Sequence, residues 1–168
     1  MEIRNKVKES SLIQMDLASF KPNCEIISID LSEQLWKGLV LKEKDFRSWI
    51  KDTDWTYYKD KAVFIYCSTE AIIPTWAFML VTASLNDICS ISLVGSEEDL
   101  QRILIVKNIE KLALNDFTDE RVIIKGCADI PEPAFAMSEL VKKLQPVVKS
   151  IMYGEPCSTV PIYKRKKP

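Results

Sequence analysis

The sequence predicts an α/β fold, a layered domain with a partly parallel (mixed) sheet flanked by helices. Three observations carry this reading. Ala62-Val63-Phe64-Ile65-Tyr66 is a continuous apolar run of the kind seen in parallel strands buried on both faces. A helix-period stretch, Ala71 to Leu85, and a second strand-like run, Ile88 to Val94, follow it. Together they form a β-α-β unit whose crossover is expected to be right-handed. Arg121-Val122-Ile123-Ile124-Lys125 is a third strand, and a long apolar stripe at helical spacing follows it.

Length and composition bound the rest. A chain of 168 residues suits a single domain with a substantial core, so 1–168 is read as one α/β domain. The net charge of −1 supplies no field that would draw it to nucleic acid or a membrane surface. With four glycines, and neither a G-x-G-x-x-G nor a P-loop pattern, no Gly-rich phosphate cradle is expected. The absence of histidine removes Ser-His-Asp and Cys-His catalysis and every imidazole metal ligand. Five cysteines, no apolar signal-peptide run and no apolar stretch of ~18 residues point to a cytoplasmic protein with reduced thiols.

Taken in order, residues 1–61 are expected to supply edge strands and a covering helix. Leu12, Ile13, Met15 and Leu17 alternate in part, and Cys24 to Asp30 alternates with β-branched residues, so both stretches read as extended. Ser32 caps a short helix that Gly38 interrupts, and Leu39-Val40-Leu41 reads as a short strand. Lys42 to Lys51 reads as a helix, because Phe46, Trp49 and Ile50 share one face among charges.

Residues 62–163 form the expected β-α-β core. Pro74 suits the first turn of its helix. Ser96, with Glu97, Glu98 and Asp99 behind it, starts the next helix. Ala134 to Tyr153 reads as one helix with Met137, Leu140, Val141, Leu144, Val148 and Ile151 on a face, kinked at Pro146. Residues 164–168 read as a basic, frayed end. No internal repeat stands out along the chain.

The candidate chemistry lies in the thiols. Ligands of open α/β sheets bind outside the carboxyl ends of the strands. Cys67 ends one predicted strand and Cys127 follows another, which puts both on one rim. Cys157, in the unusual segment Gly154 to Arg165, reaches either rim, depending on the path of the kinked helix. Cys67 is also expected near the N-terminus of the 71–85 helix, where a thiolate is stabilised. Cys67, Cys127 and Cys157, with Asp129 as a fourth ligand, are therefore candidates to hold zinc or an iron–sulfur cluster. Cys67 and Cys157 are alternatively candidate catalytic thiols or a redox pair. The competing expectation is that free cysteines simply pack as small hydrophobes, which is the reading for Cys24 and Cys89.

Four stretches carry a resemblance. They are Leu41 to Arg47, Pro74 to Leu80, Lys125 to Asp129 and Ser150 to Lys164. They resemble the signatures of a bacterial domain-of-unknown-function family, twenty-four-eighty, over essentially the whole chain. That family has no established activity. By association with iron–sulfur assembly genes, the resemblance implies an accessory role in cluster biogenesis or sulfur handling, with iron–sulfur assembly proteins as partners. It assigns no catalytic residue. A thiol-based redox or sulfur-carrier enzyme is the second reading. A non-catalytic regulatory or scaffolding module is the third, and a partner retained without the three cysteines would favour it.

Overall fold

The computed structural model describes residues 12–126, 129–155 and 157–166. In chain order, β1 (Leu12–Asp16) precedes β2 (Ile26–Asp30), the two short strands β3 (Leu35–Trp36) and β4 (Val40–Leu41), and α1 (Glu43–Asp52). β5 (Ala62–Tyr66), α2 (Thr75–Leu85), β6 (Ile91–Val94) and α3 (Glu97–Glu110) follow. The chain closes with β7 (Arg121–Lys125), α4 (Pro133–Leu144), β8 (Ser150–Glu155) and β9 (Ser158–Lys164). The architecture is α/β, with parallel and antiparallel pairing in one of its sheets.

The strands do not form one sheet. Two compact units appear: unit 2, residues 23–100, and unit 1, residues 1–22 with 101–168. Unit 2 holds a fully parallel sheet of order β2-β5-β6. Unit 1 holds a mixed sheet of order β1-β7-β8-β9, in which only β8–β9 is antiparallel. The 62–163 stretch is thus not one β-α-β core, because β5 and β6 pair in one sheet and β7 and β8 in the other.

The core of unit 2 is built where the sequence pattern placed it. Val63 and Ile65 of β5 are fully buried against Ala77, Val81 and Leu85 of α2 and Phe46 of α1. Burying one such aliphatic side chain contributes about 1.5–3 kcal/mol. Phe46 meets Trp49 at 5.1 Å between ring centroids and Trp76 edge-on at 5.7 Å. The Trp55 indole donates to the Ile50 carbonyl at 2.9 Å, which satisfies its polar edge inside the aromatic cluster. β3 and β4 pair antiparallel across the three-residue turn Lys37-Gly38-Leu39, in which Lys37 and Gly38 hold positive φ (52° and 70°).

Two expectations near the C-terminus are corrected. Ala134 to Tyr153 is not one kinked helix. α4 stops at Leu144, and Ser150 to Glu155 is a strand. Proline ends the helix because it lacks the N–H that a further turn needs, so Pro146 lies in the turn between the two elements. The basic end is also tied down through Arg165. Lys164 closes β9. The Arg165 N–H donates to the Lys149 carbonyl at 2.9 Å, and its guanidinium bonds Asp119 and the Val147 carbonyl.

The units share one plan, a repeat that reading along the chain does not reveal. A shift of 59 positions, the step from Ala62 to Arg121, carries β5 onto β7 and β6 onto the first four residues of β8. It also carries the 3-10 turn Trp55–Tyr58 onto Leu114–Phe117. Fully buried Ala77, Val81 and Leu85 fall on Ala136, Leu140 and Leu144, which are just as fully buried. The turn bonds match too. Asp60 N–H donates to Ile88 O and Asp119 N–H to Val147 O, at 3.1 and 2.9 Å, and both aspartates sit at φ near +60° (61° and 60°). In each unit the first strand joins in the same register, since Ile26 pairs with Ala62 and Leu12 with Arg121. Asp30 and Asp16 then cap matching 3-10 turns through the N–H groups of Ser32 and Ala18, each at 2.9 Å. Among the described residues the units differ in that β9 has no counterpart in unit 2 and the β3–β4 pair has none in unit 1.

Candidate functional site

Each unit offers the carboxyl end of its sheet as a site, since β1, β7 and β8 in one, and β2, β5 and β6 in the other, run parallel. In unit 2 this end is organised by Asp30. Its carboxylate accepts from the N–H of Ser32 at 2.9 Å and of Ser68 at 3.0 Å, while Ser68 Oγ bonds Ser32 Oγ at 2.9 Å. These bonds fix the loop after β5 to the loop after β2. Burial alone would push the Asp30 carboxyl up. The hydrogen bonds from Ser68 and Ser32 outweigh it and hold the group below the ordinary carboxylate range.

Because the folded form binds this proton less well than the unfolded chain, the stabilisation is complete above about pH 4 and is lost as pH falls through the lowered folded value. Asp30→Ala should therefore cost about 1 kcal/mol at neutral pH, as removal of a cap does. The gap from wild type should close on acidification. Urea titrations at pH 7 and pH 3 would test this, and a gap of equal size at both would count against it.

Cys67 lies at this end, half-buried, immediately after β5. Its Sγ donates to the Thr69 carbonyl at 3.4 Å and lies 3.4 Å from Thr69 Oγ1. With Tyr66, Phe78, Val94, Gly95 and Ser96 it lines an open crevice of about 620 Å³. Ser96 and Asp99 form a reciprocal cap at the start of α3: Asp99 N–H to Ser96 Oγ at 3.2 Å, and Ser96 N–H to Asp99 Oδ2 at 3.0 Å. The helix expected at 71–85 begins only at Thr75, because the residue before a proline avoids the helical region, and so Cys67 precedes it by eight residues in the sequence.

In unit 1 the corresponding end gathers the exits of β1, β7 and β8. Lys125, the last residue of β7, pairs with Glu155, the last of β8, at 3.8 Å. Gly126 lies against the hydroxyl end of Tyr153, where an added Cβ would clash with the phenol oxygen. Cys157 is exposed at the turn of the β8–β9 hairpin. β8 runs parallel to β7, so Cys157 follows β8 at the end of the sheet where β7 closes with Lys125. Cys127 itself lies outside the described residues.

The single rim expected for Cys67 and Cys127 does not exist, because β5 and β7 belong to different sheets. Asp129, the expected fourth ligand, has a 95% exposed side chain paired with Lys21 at 2.5 Å. Among the described residues no group of three His, Cys, Asp or Glu is arranged to hold a metal ion.

The remaining cysteines lie outside the strands. Cys24 is half-buried ahead of β2. Cys89 precedes β6 and packs on the unit 2 core, and burial pushes its thiol up.

The sequence match that decides the family spans residues 1–165, against a family described as proteins of unknown function (DUF2480). The chain belongs to the DUF2480 family. No curated protein and no solved structure matches it. The match covers both units of this DUF2480 chain, so the doubled plan falls inside the family's own boundaries. Among the described residues no helix is long and apolar enough to cross a membrane.

Ser32, expected as a cap, lies inside the turn that Asp30 caps, and the roles of Asp30 and Ser68 are not apparent from sequence reasoning. Their signal is the pair of Asp-Leu steps, Asp16-Leu17 and Asp30-Leu31, each closing a β-rich run.

Proposed function

We propose that this protein handles sulfur or a thiophilic metal as an accessory of iron–sulfur cluster assembly. The working groups are Cys157, at the turn that follows β8, and Cys127, two positions after the last residue of β7 in the sequence. The observation that supports this is the parallel register of β7 and β8, Ile124 opposite Tyr153. The segments carrying the two thiols therefore leave neighbouring strands at the same end. Exposed Cys157 is accessible to a partner. Two deprotonated thiols supply half of a four-thiolate set for zinc or iron, and a protein partner would supply the rest. Such an incomplete set suits transfer better than storage. Cys67 forms a separate, half-buried thiol site in unit 2.

The test is alkylation of protein purified without air, with and without zinc, read cysteine by cysteine by mass spectrometry. Zinc should slow labelling of Cys127 and Cys157 together, and Cys157→Ser should abolish the protection of Cys127. If zinc changes neither rate, the reading fails. If, instead, glutathione disulfide joins Cys127 to Cys157 and zinc protects neither, the protein is a thiol redox enzyme.

A further inference from the structure

The shared plan of the two units exposes a vacancy in one of them. In unit 1 the outer edge of β8 is covered by β9, which runs antiparallel from Ser158 to Lys164. Beside that edge, Met137, Ser138, Val141 and Tyr153, together with Ile162 of β9, line a groove of about 360 Å³. The 59-residue shift carries Phe78, Met79, Thr82 and Val94 onto those four residues. In unit 2 these residues line a groove of about 670 Å³. Here the chain turns away at Gly95 into α3, and among the described residues no strand pairs with the outer edge of β6. Met79 is 65% exposed and Val94 52%.

Sheet edges in natural proteins are usually blunted by charge, proline or a bulge. β6 carries none of these, since Ile88 to Gly95 contains no charged residue and no proline, and its ladder with β5 is regular. An edge with this composition and an apolar groove beside it calls for a strand.

We propose that the edge of β6 is where a second copy of this chain docks, joining two unit 2 sheets across a two-fold axis. Unit 1 shows that the position accepts an antiparallel strand, and a two-fold axis normal to the sheet brings two β6 edges together antiparallel. The surface is self-compatible. Its groove includes one charged side chain, Asp87, beyond the carboxyl end of α2, so apposing two copies buries little like charge. The same axis sets the two α2 helices side by side. The exposed Met79 of each then packs into the other's groove, as Ile162 of β9 borders that of unit 1.

The test uses the full chain, with molar mass measured by light scattering behind size exclusion at two loadings tenfold apart. The expected result is a particle of twice the monomer mass, together with slow hydrogen exchange at Ile91–Val94. Met79→Glu and Val94→Lys, both at exposed positions, should each yield monomers with unchanged circular dichroism and faster exchange in β6. A wild-type monomer at both loadings would overturn the proposal and leave the edge to a strand from another protein. A dimer that survives both substitutions would overturn it as well, because its interface would lie elsewhere.

Discussion

Leu85→Ala and Leu144→Ala are each expected to destabilise their unit by about 2–5 kcal/mol, the range for truncating a fully buried leucine. Both side chains are completely buried, and each sits in the last turn of the helix that covers its own sheet. Their surroundings match. In each unit the leucine carbonyl accepts two N–H groups from the following turn, at 3.0 Å from Ile88 and Cys89, and at 3.0 and 3.1 Å from Val147 and Val148. Relaxation around the lost methyls is therefore constrained alike, and the two costs should be similar. All four tryptophans lie in unit 2, so their fluorescence reports that unit's unfolding, while far-ultraviolet circular dichroism reports both. Chemical denaturation followed by both probes measures the pair. Losses below about 1 kcal/mol at both positions would show that these residues are not equivalent core anchors.

Gly154→Val should be comparably severe for a different reason. Gly154 stands at φ +119°, a region that residues with a side chain rarely adopt, and a Cβ there would come within 2.5 Å of the Ser158 carbonyl oxygen across the hairpin. Backbone strain of about 1–3 kcal/mol and a steric clash of similar size act together. Gly38→Ala is the control, since Gly38 also has positive φ (+70°) but no atom lies within 4 Å of the added Cβ. It should cost only about 1 kcal/mol. Thermal unfolding of the two variants separates clash from strain, and equal shifts would refute the account. Because the hairpin carries Cys157, Gly154→Val should also alter the labelling rate of that thiol in the native state.

The elements that were legible are those whose pattern needs no partner to be read. The apolar run of β5 and the Phe46, Trp49, Ile50 face of α1 follow from composition and period. β8 was hidden because Leu144, Val148 and Ile151 continue the spacing of α4 by coincidence, and only Pro146 marks the break.

The doubled plan was hidden for a deeper reason. What the units share is burial and turn geometry more than identity. Val81 is matched by Leu140, and Phe46 by Ile105, all fully buried or nearly so. Identical pairs such as Asp60 and Asp119, Pro74 and Pro133, or Gly95 and Gly154, are scattered. Of the candidate site, the strand-end location of Cys67 was readable. Its separation from the Cys127 strand was not, because which strands share a sheet depends on contacts far apart in sequence.

The pairing of β1 with β7 has a temporal consequence. Leu12 must wait for Arg121, whereas every strand of unit 2 is present once Val94 has been made. At about 5–20 residues per second, roughly a hundred residues of synthesis separate the two partners by some 5–20 s. Over that interval unit 2 is free to close around its own core, while β1 emerges with no strand to meet. The long-range parallel ladder makes unit 1 the slow folder. It also makes β1 the segment most in need of shelter while the chain is being made.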